Sequence, residues 1–163
     1  MSWAEWLRDT PFAQQIQASE TAFPWLECVH VLAIVLVMGT IMIVDLRLLD
    51  VASRSYRVTR LMRTLLPLTW AAFVVALITG SLMFLSQPTK YLLTVPFQIK
   101  MGLLLLAGLN MAIFHLWTQR GIAVWDGGAA AIPLSARLAG LVSILLWLGI
   151  VFAGRFIGFM IPF

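Results

Sequence analysis

The sequence is poor in cysteine and in charge. Cys28 is the single cysteine, which excludes an internal disulfide framework and any site built on a CxxC motif. Only 11% of the 163 residues are charged, whereas 61% are hydrophobic. A soluble domain needs far more polar surface, so the composition indicates an integral membrane protein. The net charge of +4 is therefore interpreted through the position of the basic residues in a membrane, and no nucleic-acid partner is expected.

Four apolar runs are each long enough to cross about 30 Å of hydrocarbon as a helix. Charged residues, proline or glycine bound each run. The runs cover residues 24–48, 65–86, 97–118 and 137–161. Residues 23–163 are thus predicted to form one all-α domain, an integral membrane four-helix bundle in contact with the lipid bilayer.

The first 22 residues differ from the spans that follow. Trp3, Trp6 and Leu7 fall close to one face of a short helix, with charged side chains towards the other. Tryptophan favours the headgroup level of a membrane. Residues 1–22 are therefore predicted to form an amphipathic interfacial segment on the outer surface.

The arginines are concentrated in two connections between spans. Five lie at the end of the first span and before the second: Arg47, Arg54, Arg57, Arg60 and Arg63. Arg120 and Arg137 flank the connection between the third and fourth spans. The positive-inside rule places these connections in the cytoplasm and both termini on the periplasmic side of a bacterial inner membrane. No removable signal peptide is evident, so we expect the first span to insert uncleaved.

Ionisable residues share one stripe of the first span. Glu27 and Asp45 are separated by about five whole helical turns, and His30 lies about one turn from Glu27. Such groups are costly against lipid, so the stripe should face other helices.

Counting residues from the ends of the spans gives the depth of each polar group. The predicted outer polar layer contains Glu27, His30 and Arg155. The predicted inner polar layer contains Asp45, Arg47, Asn110 and His115. Asp45 and His115 differ by only about 3 Å in depth, so we expect them to pair. The layers either fix the register of the helices or carry protons.

His30 and His115 are the candidate ligands for haem b. They differ by about 18 Å in depth, which argues against their binding one iron from opposite faces. One haem per histidine, with a methionine as sixth ligand, is left open. Methionine also suits Cu(I), but the sequence contains no close cluster of methionine or histidine, so the metal stays unknown.

Small residues recur at intervals of four in three spans. The sets are Ala72, Ala76 and Gly80, then Gly108 and Ala112, then Gly154 and Gly158. Such rows predict close contact between helices, within the chain or in a homo-oligomer or larger membrane complex.

Four segments together resemble a known family. They read FPWLECVHVLAIVLVMGTIMIVDLRLL, LLPLTW, FQIKMGLLLLAGLNMAIFH and RLAGLVSILLWLGIVFAGRFI. They resemble a bacterial family of small four-helix inner-membrane proteins that carries only a domain-of-unknown-function label. The resemblance implies that six positions recur in the family: His30, Asp45, Arg47, Asn110, His115 and Arg155.

A looser similarity links the chain to copper-resistance D-type and b561-like membrane domains. It implies a helical bundle that binds copper or haem. This chain lacks the additional histidines of a two-haem b561 bundle, since it has only two.

No catalytic constellation is evident in the sequence. The leading hypothesis is a non-catalytic membrane subunit of a redox or transport assembly, with ionisable layers that hold the bundle together and carry protons. One alternative is an electron-transfer protein that binds haem b or quinone. The other is a transporter of metal or of a small solute.

Overall fold

The computed structural model describes residues 3–19, 21–126 and 131–160, which form helices and the turns that join them. The helices are α1 (Trp3–Arg8), α2 (Pro11–Ala18), α3 (Ala22–Leu48), α4 (Val58–Ser86), α5 (Pro88–Leu93), α6 (Val95–Leu116), α7 (Ile122–Trp125) and α8 (Leu134–Met160). A single 3₁₀ turn, Thr118–Gly121, joins α6 to α7. By length and apolar composition, α3, α4, α6 and α8 can each cross a membrane. The predicted all-α fold with four membrane-spanning helices is confirmed.

Helix α3 lies at the centre of the arrangement, since it packs along α4 and also against α8, while α6 packs along α8. The end of the bundle near α1, α2 and α5 is called the outer end, and the opposite end the inner end. Near the inner end, a Cβ added to Gly140 of α8 would lie 3.1 Å from the backbone oxygen of Asp45 and 3.2 Å from Cβ of Leu48. Glycine therefore permits the close approach of α3 and α8 there.

The predicted rows of small residues differ in what they contact. Ala72 and Ala76 of α4 are buried, and Gly80 of the same helix lies against His30 of α3. By contrast, no described side chain lies within 4 Å of the position that a Cβ would take at Gly108 or Gly158. Only the row on α4 therefore packs along its whole length against a neighbouring helix of this chain.

Helix α4 begins seven residues before the predicted second span. The carboxylate of Asp126 accepts hydrogen bonds from the backbone N–H of Val58 (2.5 Å) and of Thr59 (3.1 Å), and from the Thr59 hydroxyl. The first N–H groups of a helix have no partner within the helix, so this carboxylate completes the start of α4. Arg60 and Arg63 consequently lie on the helix, with exposed side chains.

The N-terminal segment crosses the outer end as two short helices. Helix α1 packs on α5, and α2 packs on α4. The side-chain amide of Gln17 donates a hydrogen bond to the backbone oxygen of Ser86 at 2.5 Å. Trp3 and Trp6 are exposed, as an interfacial role requires.

Buried apolar side chains form a layer across the middle of the bundle. This apolar layer consists of Val37 on α3, Ala72 on α4, and Trp147 and Ile150 on α8. Leu103, Leu104 and Ala107 of α6 pack against it. The layer separates the two cavities described next.

Candidate functional site: two cavities in the helix bundle

The outer cavity has a volume of about 350 Å³ and lies between the apolar layer and the outer end. Its polar lining residues are Glu27 and His30 from α3, Tyr91 from α5, Lys100 from α6 and Arg155 from α8. The three residues of the predicted outer polar layer thus line one cavity, together with Lys100 and Tyr91.

The opening of the outer cavity can be located from the exposure of its lining. Val31 and Val35 of α3 are exposed, as are Val151 and Arg155 of α8. The cavity therefore opens between α3 and α8.

The tautomer of His30 follows from its contacts. Nδ1 of His30 lies 3.0 Å from the hydroxyl oxygen of Thr79. That hydroxyl donates its own hydrogen to the backbone oxygen of Val75 at 2.8 Å, so it accepts from the imidazole. In a neutral imidazole, Nε2 then carries the free lone pair. Space for the ring is left by Gly80, where an added Cβ would lie 3.0 Å from Cε1 of His30.

The charged residues of the outer cavity do not neutralise one another by direct contact. No ion pair joins Glu27, Lys100 or Arg155 within the part of the chain that the structure describes. The guanidinium of Arg155 lies 4.9 Å from the ring centre of Phe159, a cation–π distance. Two basic residues, Lys100 and Arg155, thus face the cavity with one acidic residue, Glu27.

Lys100 and Tyr91 were missed by the sequence reasoning. Lys100 lies four residues after Pro96, within the predicted third span. The available signal was its depth, which is close to that of Glu27. Tyr91 is held by ring contacts with Phe84 and Phe97. Burial, with a smaller contribution from the charge of Glu27, raises the pKa of Tyr91 to about 12, so its hydroxyl stays protonated.

The inner cavity has a volume of about 180 Å³ and lies between the apolar layer and the inner end. Asp45, Asn110, His115 and Ser143 are its polar lining residues, next to the Thr69 hydroxyl. The exposed lining residues are on α4 and α6: Trp70, Gly108, Met111 and His115. This cavity therefore opens between α4 and α6, on a different side of the bundle from the outer cavity.

The residues of the predicted inner polar layer have separate partners. The Asn110 amide donates to the backbone oxygen of Ala139 at 3.0 Å, which ties α6 to α8. Arg47 lies outside the cavity lining, and its Nε donates to the backbone oxygen of Tyr56 at 2.8 Å. Its Nη1 also contacts Asp50 at 3.3 Å. Arg47 thus organises the connection between α3 and α4.

Asp45 and His115 line the same cavity without touching. The imidazole of His115 is exposed, and its Nδ1 lies 2.9 Å from the backbone oxygen of Met111. Asp45 is only 5% exposed, and its Oδ2 has no hydrogen-bond partner among the described residues. The hydroxyl of Ser143 is a hydrogen-bonding neighbour of the carboxyl group. The direct pairing expected from equal depth is not formed: the hydrogen-bonding neighbour of His115 is the backbone of Met111, and that of Asp45 is Ser143.

The two histidines line different cavities, His30 the outer and His115 the inner. The apolar layer lies between them, so they do not face one metal ion together. Among the described residues, no three side chains of histidine, cysteine, aspartate or glutamate are grouped to hold a metal ion.

Four long apolar helices, with two largely apolar cavities that contain a few polar side chains, indicate a multi-pass membrane protein. The chain belongs to a family of unknown function, DUF6644, whose sequence profile matches residues 12–160. No curated protein and no solved structure matches the chain. The resemblance to a domain-of-unknown-function family is thus confirmed for most of the chain. The looser similarity to copper-resistance D-type and b561-like domains stays a prediction.

Proposed function

We propose that the protein is a non-catalytic subunit of a redox or transport assembly in the bacterial inner membrane, and that its outer cavity binds the head of a quinone-type molecule. One observation carries the proposal. Glu27, His30 and Lys100 converge on one cavity from two helices, without an ion pair between them, and the cavity opens sideways between α3 and α8.

The lining matches the chemistry of a quinone. A quinone head is a flat ring with carbonyl oxygens, which accept hydrogen bonds, and it carries an apolar tail. The Lys100 ammonium can donate to a carbonyl oxygen, and the Phe97 ring offers a stacking surface. Val31 and Val35 at the opening can accommodate the tail. The volume of about 350 Å³ falls in the range of about 300–1,000 Å³ typical of small-molecule sites.

Glu27 and His30 supply groups that can exchange protons with a bound ligand. A carboxylate and an imidazole within a membrane are the usual materials of a proton relay. The apolar layer separates them from Asp45 and His115. The proposed proton exchange is therefore confined to the outer half, and a partner subunit of the assembly completes any longer path. A haem b held by both histidines is not part of the proposal, because His30 and His115 line different cavities.

Decylubiquinone is the probe that tests the proposal. Purified protein in detergent should gain thermal stability on addition of decylubiquinone, because a ligand that binds only the folded state stabilises it. Decylbenzene, with the same tail and no carbonyl groups, should give a much smaller increase. In Lys100→Met the two compounds should stabilise the protein equally, since methionine keeps most of the length of the side chain without the donor.

His115, which lines the inner cavity, provides the matched control for His30. His30→Ala should weaken the response to decylubiquinone, whereas His115→Ala, in the other cavity, should leave it unchanged. Equal stabilisation by decylubiquinone and decylbenzene would sink the proposal, and so would an unchanged response in Lys100→Met.

A further inference from the structure

We propose that the inner cavity is a binding site for a small lipophilic organic cation, such as a quaternary or protonated amine. This inference does not depend on the function proposed for the outer cavity. It rests on one buried carboxylate, on the aromatic rings around it and on the opening between α4 and α6.

The carboxyl group of Asp45 forms no ion pair with any described residue. The residue is 5% exposed, and its Oδ2 has no hydrogen-bond partner among the described residues. Arg47, two residues further along α3, is engaged by the backbone oxygen of Tyr56 and by Asp50. Burial without a partner disfavours the charged form of this carboxyl group, and a cation bound in the cavity would compensate that charge.

The walls of the cavity favour a cation over other ligands. Trp70, Phe73, Phe114 and Trp147 line it. The faces of aromatic rings attract organic cations, and recognition of quaternary ammonium groups uses such rings. One N–H of the Asn110 amide is bonded to Ala139, which leaves one uncharged N–H donor beside the Asp45 carboxyl group in this cavity. One carboxylate among aromatic rings is the combination that an organic ammonium requires.

The dimensions and access of the cavity set the size of the ligand. An apolar cavity of roughly 150 Å³ holds a molecule the size of benzene. The inner cavity, at about 180 Å³, accepts a body of that size, and its opening at Trp70 and His115 leaves room for a substituent. Because the opening lies between two membrane-spanning helices, the ligand must also be soluble in the membrane or its interface.

A pair of probes with the same shape separates the effect of charge from that of apolar contact. Benzyltrimethylammonium is a cation, and neopentylbenzene is its neutral counterpart. Binding can be followed by tryptophan fluorescence, since Trp70 and Trp147 line the cavity. We expect the wild-type protein to bind the cation about tenfold more tightly than the neutral probe, which is the scale of one desolvated cation–π or ionic contact.

Substitutions test whether Asp45 causes the tighter binding of the cationic probe. Asp45→Asn keeps the shape of the side chain and should reduce binding of the cation about tenfold, with unchanged binding of neopentylbenzene. The unchanged neutral probe also shows that the cavity is intact. Glu27→Gln is the matched control, because it removes a carboxylate from the outer cavity. It should leave both affinities unchanged.

A second variant keeps the test decisive if Asp45→Asn does not fold. Phe73→Leu retains an apolar side chain but removes a ring. It should therefore weaken binding of the cationic probe more than binding of the neutral probe. Equal affinity of the wild-type protein for both probes would overturn the inference. Retention of the preference in Asp45→Asn, or its loss in Glu27→Gln, would also overturn it.

Discussion

At the scale of single residues, the fit between His30 and Gly80 controls the geometry of the outer cavity. A Cβ at position 80 would lie 3.0 Å from Cε1 and 3.4 Å from Nδ1 of His30. Gly80→Ala should therefore displace the imidazole and disturb its hydrogen bond to Thr79. We expect a loss of about 1–3 kcal/mol in the free energy of unfolding, the usual cost of overpacking.

Gly39→Ala on α3 is the control for this substitution. No described side chain lies within 4 Å of the position that a Cβ would take at Gly39. Alanine there should be neutral or stabilise by about 0.5–1 kcal/mol, because glycine is a poor helix former. Denaturation of both variants in the same detergent measures the difference. Equal stabilities would mean that the His30 ring is not confined by α4.

The contrast between His30 and His115 shows where sequence reasoning ends. Residue counting along the spans predicted different depths for the two histidines, which line different cavities. It did not give the direction of each side chain, which depends on how far each helix is rotated about its axis. In α6 nearly every face is apolar, so the pattern of hydrophobic residues could not fix that rotation. The predicted pairing of His115 with Asp45 therefore depended on depth alone.

At the scale of helices, Asp126 controls where α4 begins. Its carboxylate binds the first N–H groups of a helix that starts 68 positions earlier in the chain. The N-cap residue itself, Arg57, makes no side-chain cap hydrogen bond. Asp126→Ala should destabilise the protein by about 0.5–2 kcal/mol, as loss of an N-cap does. Thr59→Val, which removes the third donor to Asp126, should show a smaller loss.

Asp9→Ala provides the comparison for Asp126→Ala. Asp9 bonds only the neighbouring Arg8 through its side chain, at 2.8 Å and on the surface. Such exposed pairs contribute between about 0 and 1 kcal/mol, so this variant should be nearly neutral. If Asp126→Ala is equally neutral in thermal denaturation, the contact does not stabilise α4.

The start of α4 could not be predicted from local sequence. The apolar pattern placed the second span at residue 65, which marks entry into hydrocarbon and not the start of the helix. The segment before it is rich in arginine, and Arg57 at the N-cap makes no side-chain cap hydrogen bond. Its helical structure depends on Asp126, which lies in another connection, so the information is tertiary. The four long helices, by contrast, follow directly from the lengths of the apolar runs.

At the scale of the whole molecule, the distribution of arginine predicts the orientation in the membrane. The connection between α3 and α4 contains Arg54 and Arg57, and Arg60 and Arg63 follow on α4. A fluorescent protein inserted at the exposed Ser55 should fluoresce, because that position is predicted to be cytoplasmic. Alkaline phosphatase fused after residue 163 should be active, because that end is predicted to be periplasmic. Reversed signals would invert the orientation and place the outer cavity towards the cytoplasm.

The apolar layer should act as a barrier between the two cavities. Trp147 is 8% exposed and lines the inner cavity, while Ile150, one turn further along α8, is 1% exposed and lines the outer cavity. Water and protons need polar groups to cross, and Val37, Ala72, Trp147 and Ile150 offer none. Protein reconstituted alone into vesicles should therefore conduct no more protons than empty vesicles.

Trp147→Ala should open the layer, raise the proton leak, and cost about 3–5 kcal/mol of stability. Trp70→Ala, at the exposed opening of the inner cavity, is the control and should leave the leak unchanged. Proton flux through the wild-type protein alone, measured with a pH-sensitive dye inside the vesicles, would show that the layer does not separate the cavities.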